Sequence, residues 1–134
     1  MTEKTNELAS ATPKLLAEEA VMTLIEKKAL NVKLFDVSEN ATITDYYVNV
    51  TGRSLTHVAS LADELSYVFE NKGRRPYRIE GKRGNSWILV DFGSVIINVF
   101  DAQAREFYNF DRLLPAESEL NIDYLIKAVD EKLS

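Results

Sequence analysis

The sequence predicts an α/β (α+β) domain in which a mixed β-sheet of about five strands is flanked by helices, and three observations predict it. Two stretches carry apolar residues at intervals of three and four, the spacing that gives a helix one apolar face. Several short segments rich in β-branched and aromatic residues lie between turn signals. One of them, Val95 to Phe100, is apolar almost without alternation, as a strand covered on both faces would be, so helices are expected on both sides of the sheet. With 134 residues, 46% of them hydrophobic and 6 Tyr and 6 Phe beside a single Trp, the chain is sized for one domain with its own core.

Residues 1–12 are expected to form a flexible leader, because Thr2 to Ala11 offers few apolar anchors and no turn chemistry. Thr12 is placed to cap a helix whose first turn accepts Pro13. Leu15, Leu16, Ala20, Val21, Leu24 and Ile25 then form its stripe, ending near Lys28. Asn31 to Val37 and Asp45 to Val50 read as an antiparallel pair of strands separated by the polar Ser38 to Asn40. Thr51-Gly52-Arg53-Ser54 turns the chain, and Ser54 or Thr56 caps a helix from about His57 to Asn71. Val58, Leu61, Ala62, Leu65, Val68 and Phe69 line one face of that helix, and Gly73 stands where a left-handed residue ends it. Tyr77 to Glu80 is a short strand, Gly81 to Asn85 a turn, and Ser86 to Phe92 with Ser94 to Phe100 a hairpin around Gly93. Asp101 caps a short helix through Phe110, along which Arg105, Tyr108 and Arg112 lie about a turn apart, and Pro115 ends it. In residues 115–134, Ile122, Leu125, Ile126 and Val129 predict a short, weakly held C-terminal helix.

Composition and motif spacing argue against most catalytic chemistry. The absence of cysteine removes disulfides, thiolate metal sites and a thiol nucleophile, and makes a reducing, cytoplasmic setting the default expectation. No apolar run approaches the roughly 20 residues of a membrane span, and the first residues lack a signal-like apolar stretch. The single His57 has no histidine or cysteine companion, and no acidic motif has the spacing of a calcium loop, so neither metal nor cofactor is expected. Ser54, His57 and Asp91 can be written as a triad, but Gly52-Arg53-Ser54 lacks the second glycine of a nucleophile elbow and reads as a turn followed by a cap. The strand-Gly-x-Ser-helix segment is similar to that of nucleotidyltransferases. The following strand, however, carries only Glu80 in place of the acid pair that would hold magnesium, and a nucleotide-processing enzyme is left as the alternative.

A net charge of -5 and a pI near 4.9 disfavour free nucleic-acid binding, yet Lys72, Arg74, Arg75, Arg78, Lys82 and Arg83 form a local basic cluster. It reads first as a solvated loop beside a helix C-terminus, and second as a contact with RNA phosphates through Arg74 and Arg75. Trp87-Ile88-Leu89-Val90-Asp91-Phe92-Gly93 also has two readings. Trp87 and Phe92 are either core residues or, with Tyr108, parts of an exposed binding patch. Alternation puts Trp87, Leu89 and Asp91 on one face and Ile88, Val90 and Phe92 on the other, which pairs Trp87 with a charge and leaves the two readings level.

Four segments in order resolve that tie. Thr42-Ile43-Thr44-Asp45, then Thr51-Gly52-Arg53-Ser54 running to His57-Val58 and Ala62-Asp63, then Trp87 to Gly93, and Arg105-Glu106-Phe107-Tyr108 together resemble the ribosomal silencing (Iojap-like) factors over about Leu15 to Leu114. The resemblance implies a silencing-factor domain over 13–114 with a fold related to nucleotidyltransferases but lacking their catalytic acids. It implies a non-enzymatic, usually homodimeric protein that binds ribosomal protein L-fourteen on the large subunit and sterically blocks joining of the small one, damping translation when nutrients are scarce. A role in large-subunit assembly is the further alternative. By the same resemblance Trp87 and Tyr108 face the ribosomal protein, with Asp91, Phe92 and Arg105 as neighbours. Two positions depart from the family pattern: Asn98, where histidine is common, keeps hydrogen bonding but no titration, and Leu114 replaces a frequent tryptophan.

Overall fold

The computed structural model describes residues 4–39 and 43–133, so Thr2, Thr42 and the end of the Ser38 to Asn40 turn lie outside the described residues. Helix α1 (Pro13–Glu26) starts as its sequence dictates, with Pro13 in the first turn and the Thr12 hydroxyl accepting from the Leu15 N–H. Strands β1 (Leu30–Asp36) and β2 (Tyr46–Gly52) pair antiparallel. Helix α2 (Leu55–Asn71) follows, capped by Ser54 and closed by Gly73 at φ +90. Strand β3 (Arg78–Glu80) pairs with β4 (Trp87–Asp91), and β4 forms the antiparallel hairpin with β5 (Val95–Asp101). Helix α3 (Ala102–Tyr108), a 3-10 turn over Phe110–Leu113, β6 (Glu119–Leu120) and α4 (Asp123–Leu133) complete the chain.

The sheet has six strands in the order β3-β4-β5-β2-β1-β6, and it is mixed because β2 and β5 run parallel at its centre. The right-handed connection expected of a parallel pair needs a helix, and α2 supplies it. Gly52 makes that crossover tight: a Cβ there would come within 2.9 Å of the Val58 backbone nitrogen. Beneath α1 and α2, Val48, Val50, Ile88, Val90, Val95, Ile97 and Val99 join Leu16, Val21, Leu24, Leu61, Leu65 and Phe69 in one core.

The structure corrects three expectations and refines a fourth. Helices do lie on both sides of the sheet, but the long ones share one side. The second face is covered only by α3 and the 3-10 turn, and this cover together with the neighbouring strand side chains buries Asn98 and Phe100. The leader is docked where it is described: Leu8 is buried, and the Thr5 and Leu8 N–H groups donate to the carbonyls of Asn71 and Lys72 at the end of α2. The C-terminal helix is held, because Leu125 and Val129 are buried and Tyr124 donates to Glu18 of α1 at 2.5 Å. Residues of the extension also add the sixth strand, Leu120 pairing with Leu34 and Glu119 with Phe35. The expected helix through Phe110 stops at Tyr108, since Asn109 takes the left-handed conformation (φ 48) and redirects the chain into the 3-10 turn.

Candidate docking face

The face of the sheet turned away from α1 and α2 carries alternate residues of each central strand: Trp87 from β4, Asn98 and Phe100 from β5, and Tyr47, Asn49 and Thr51 from β2. Trp87 is half-buried there. Its ring lies 5.0 Å from Phe100, 4.8 Å from Tyr108 and 6.0 Å from Phe110, centroid to centroid, and Phe110 in turn meets Tyr47 edge-on at 5.2 Å. Beyond Tyr108 stands Phe107, 5.0 Å from it, 81% exposed, and Leu113 of the 3-10 turn is 75% exposed. Two depressions lie beside these rings. One, of about 540 Å³, is lined by Ser86, Asp101, Glu106 and Phe107 beside Tyr108; the other, of about 300 Å³, by Glu80, Gly81 and Leu89 beside Trp87.

Beneath the rings runs a continuous polar chain. The Trp87 Nε1–H donates to Asn98 Oδ1 at 3.0 Å, Asn98 Nδ2 donates to Asn49 Oδ1 at 3.0 Å, and Asn49 Nδ2 donates to Asp111 Oδ1 at 2.6 Å. Arg105 reaches the other carboxylate oxygen of Asp111 through Nη2 at 3.0 Å and holds Thr51 Oγ1 with Nη1, also at 3.0 Å. Both asparagines are fully buried, and an unpaired buried amide would cost about 1–3 kcal/mol, so each link is needed for the strand centres to be stable. The guanidinium also lies 5.9 Å from the Phe100 ring centre.

Of the five residues expected at the docking surface, the structure brings only Trp87 and Tyr108 together on it. Phe92 is a correction: it is fully buried on the opposite face against Phe69, ring centres 4.8 Å apart, as strand alternation requires. Arg105 is the second correction, because its side chain is 8% exposed and is spent on Asp111 and Thr51, which makes it an internal support. Asp91 sits at the other end of β4 from Trp87, accepting from the Gly93 N–H at 2.7 Å and from Arg78 at 3.1 Å. It also combines with burial, the larger cause, to raise the Tyr47 hydroxyl pKa. The residues that sequence reasoning missed are Asn49, Asp111, Phe107 and Phe110.

The basic cluster is largely neutralised by neighbouring acids: Lys72 by Glu19, Arg75 by Glu70, Arg78 by Glu80 and Asp91, and Lys82 by Asp63. Arg74 reaches the Ala9 carbonyl at 3.5 Å. His57 is structural, its Nδ1 accepting from the Arg53 N–H at 2.9 Å and its Nε2 lying 3.1 Å from the Lys27 carbonyl. Ser54 caps α2 through the His57 N–H. Asp91 is remote from both, since it pairs with Ile96 near the start of β5 while Gly52 pairs with Asp101 at its end. Among the described residues no group of three or more His, Cys, Asp or Glu is arranged to hold a metal ion, and no helix is long and apolar enough to cross a membrane.

Comparison with known proteins agrees with this architecture. The profile of the family described as "Ribosomal silencing factor during starvation" matches residues 9–133. A ribosomal silencing factor from Haemophilus influenzae is 34% identical over 98 residues, covering 73% of this chain and 96% of the relative. A mouse protein named for mitochondrial assembly of the ribosomal large subunit is 31% identical over 96 residues, 69% of this chain and 42% of its own length. A crystal structure of a Bacillus halodurans protein superposes with a TM-score of 0.70 at 29% identity, covering 82% of this chain and 99% of the other.

Proposed function

Because the chain belongs to the ribosomal silencing factor family, we propose that it damps translation by docking on the large ribosomal subunit and sterically excluding the small one. Its contact is ribosomal protein L-fourteen, its free form is a homodimer, and it works in the cytoplasm without catalysing a reaction. The observation that carries this reading is the aromatic pair on the thinly covered face of the sheet: the half-buried Trp87 touches the half-exposed Tyr108, and the exposed Phe107 stands against Tyr108. Aromatic side chains with low rotamer freedom, held on packed elements as Trp87 is on β4 and Tyr108 on α3, are what protein interfaces use as anchors. Exclusion then needs no chemistry, only a bound body occupying space that the other subunit must enter. The name of the mouse relative favours a second reading, an assembly role on the same subunit.

Sedimentation of the purified protein with ribosomal particles tests both. The wild-type chain is expected to travel with mature large subunits and to reduce their pairing with small subunits. Trp87→Ala with Tyr108→Ala should weaken binding by on the order of 1,000-fold, since truncating such anchors costs about 2 kcal/mol each. Undiminished affinity in a folded double variant would sink the docking face, and co-migration with precursor particles alone would favour assembly.

A further inference from the structure

We propose that Asn98 and Asn49 are positioning residues of the docking face: with Asp111 as terminal acceptor, they fix the plane of the Trp87 indole from beneath. The proposal deepens the docking reading above and rests on it. Both asparagines are fully buried, so neither can touch a partner, and whatever they contribute to binding must pass through Trp87 or through the 3-10 turn.

The polarity of the chain admits one arrangement. The indole Nε1–H can only donate, and an ionised carboxylate can only accept. Asn98 must therefore present Oδ1 to Trp87, which turns its Nδ2 toward Asn49. Asn49 must answer with Oδ1, which leaves its own Nδ2 for Asp111. Arg105, held by Thr51, occupies the other oxygen of Asp111 and leaves Oδ1 for Asn49. Asn49 and Asn98 are direct partners across the parallel β2 and β5 ladder, so the backbone itself sets the spacing of the two amides.

The consequence for binding is preorganisation. A half-exposed indole packed on Phe100 and Tyr108 alone could shift in its plane, because ring stacking constrains rotation less than a directed hydrogen bond does. Fixing the ring before docking removes an ordering cost that would otherwise be charged against affinity. The same chain ties down the 3-10 turn through Asp111, and with it Phe110, which packs against both Trp87 and Tyr47.

Trp87 is the only tryptophan, so its emission reports on this geometry directly. In Asn98→Leu the free protein should show red-shifted emission and lower emission anisotropy. Its affinity for purified large subunits should fall on the order of 10-fold, as losing one buried hydrogen-bonded link would produce. Asn98→His should restore both readouts, because a neutral imidazole accepts at one nitrogen and donates at the other. In a Trp87→Phe background, which has no indole N–H to orient, Asn98→Leu should change affinity by less than about 2-fold, within the scatter of uncoupled sites. Unchanged emission in Asn98→Leu, or the same affinity loss with Trp87→Phe present, overturns the proposal. Asn98→Ser, too short to bridge both neighbours, applies the same criteria should the leucine variant not fold. Failure of the wild-type chain to bind any particle would overturn the docking reading, whereas the emission readouts judge the positioning separately.

Discussion

Asp111→Ala is expected to destabilise the fold well beyond an ordinary surface truncation. The carboxylate is 21% exposed and ends two lines of donors, Asn49 Nδ2 at 2.6 Å and the Arg105 guanidinium at 3.0 Å. Removing it strands a fully buried amide hydrogen and leaves Arg105, 8% exposed, without its counter-charge. Losing one partner of a buried pair costs about 3–5 kcal/mol, and the partial exposure of Asp111 reduces this to about 2–4 kcal/mol. Urea unfolding followed by Trp87 emission and by circular dichroism measures this as a fall in midpoint at constant slope. The exposed neighbour Arg112→Ala is the control, expected within about 0.5 kcal/mol of wild type. Replacing both charges, Asp111→Leu with Arg105→Met, should recover much of the loss, because an apolar pair carries no desolvation debt. A cost below about 1 kcal/mol for Asp111→Ala, or a double variant as weak as the two single changes added, would refute the account of the pair as a coupled support.

Three further outcomes can be checked. Phe92→Ala should cost about 3–5 kcal/mol by opening a cavity against Phe69, yet leave large-subunit affinity of the folded protein unchanged; a binding defect would return Phe92 to the interface. The Tyr124 hydroxyl is pushed up to about 12, chiefly by burial and then by its bond to Glu18. Its contribution to stability is therefore fully present below about pH 10 and lost as pH rises through about 12, and tyrosinate absorbance should show a late ionisation that Tyr124→Phe lacks. Arg74→Ala with Arg75→Ala should leave the salt dependence of ribosome binding unaltered, given their internal partners; a slope flattened by more than about one unit would revive the RNA contact.

Much of the fold was legible because local periodicity carries it. The stripes of α1 and α2, the Thr12 and Ser54 caps, the left-handed Gly73 and the β4-β5 hairpin all follow from residues within a few positions of each other. Alternation along Trp87 to Phe92 already placed Phe92 across the sheet from Trp87, and that local rule outweighed the likeness that put both at the surface. The supports of the proposed docking face were harder to see because their partners are remote. Asn49 lies 62 residues from Asp111 and 49 from Asn98, and only the parallel register of β2 and β5 unites them. A signal did exist: Asn49 between Val48 and Val50, and Asn98 between Ile97 and Val99, are poor strand formers at apolar strand centres, tolerable only if paired. The docked Leu8 and the strand at Glu119–Leu120 gave no comparable signal, since each consists of too few residues to show a period.

The parallel pairing of β2 with β5 also dictates the order in which the surface can mature. Its closing contacts span 49 to 62 residues, and joining distant chain segments incurs loop-closure entropy before any contact rewards it. During synthesis the first half of the chain can gather α1, β1, β2 and α2 from neighbouring segments, but Trp87 acquires its seat only once Asp111 has been made and can reach Asn49. A chain stopped before Asp111 would present the indole without the acceptor that ends its polar chain.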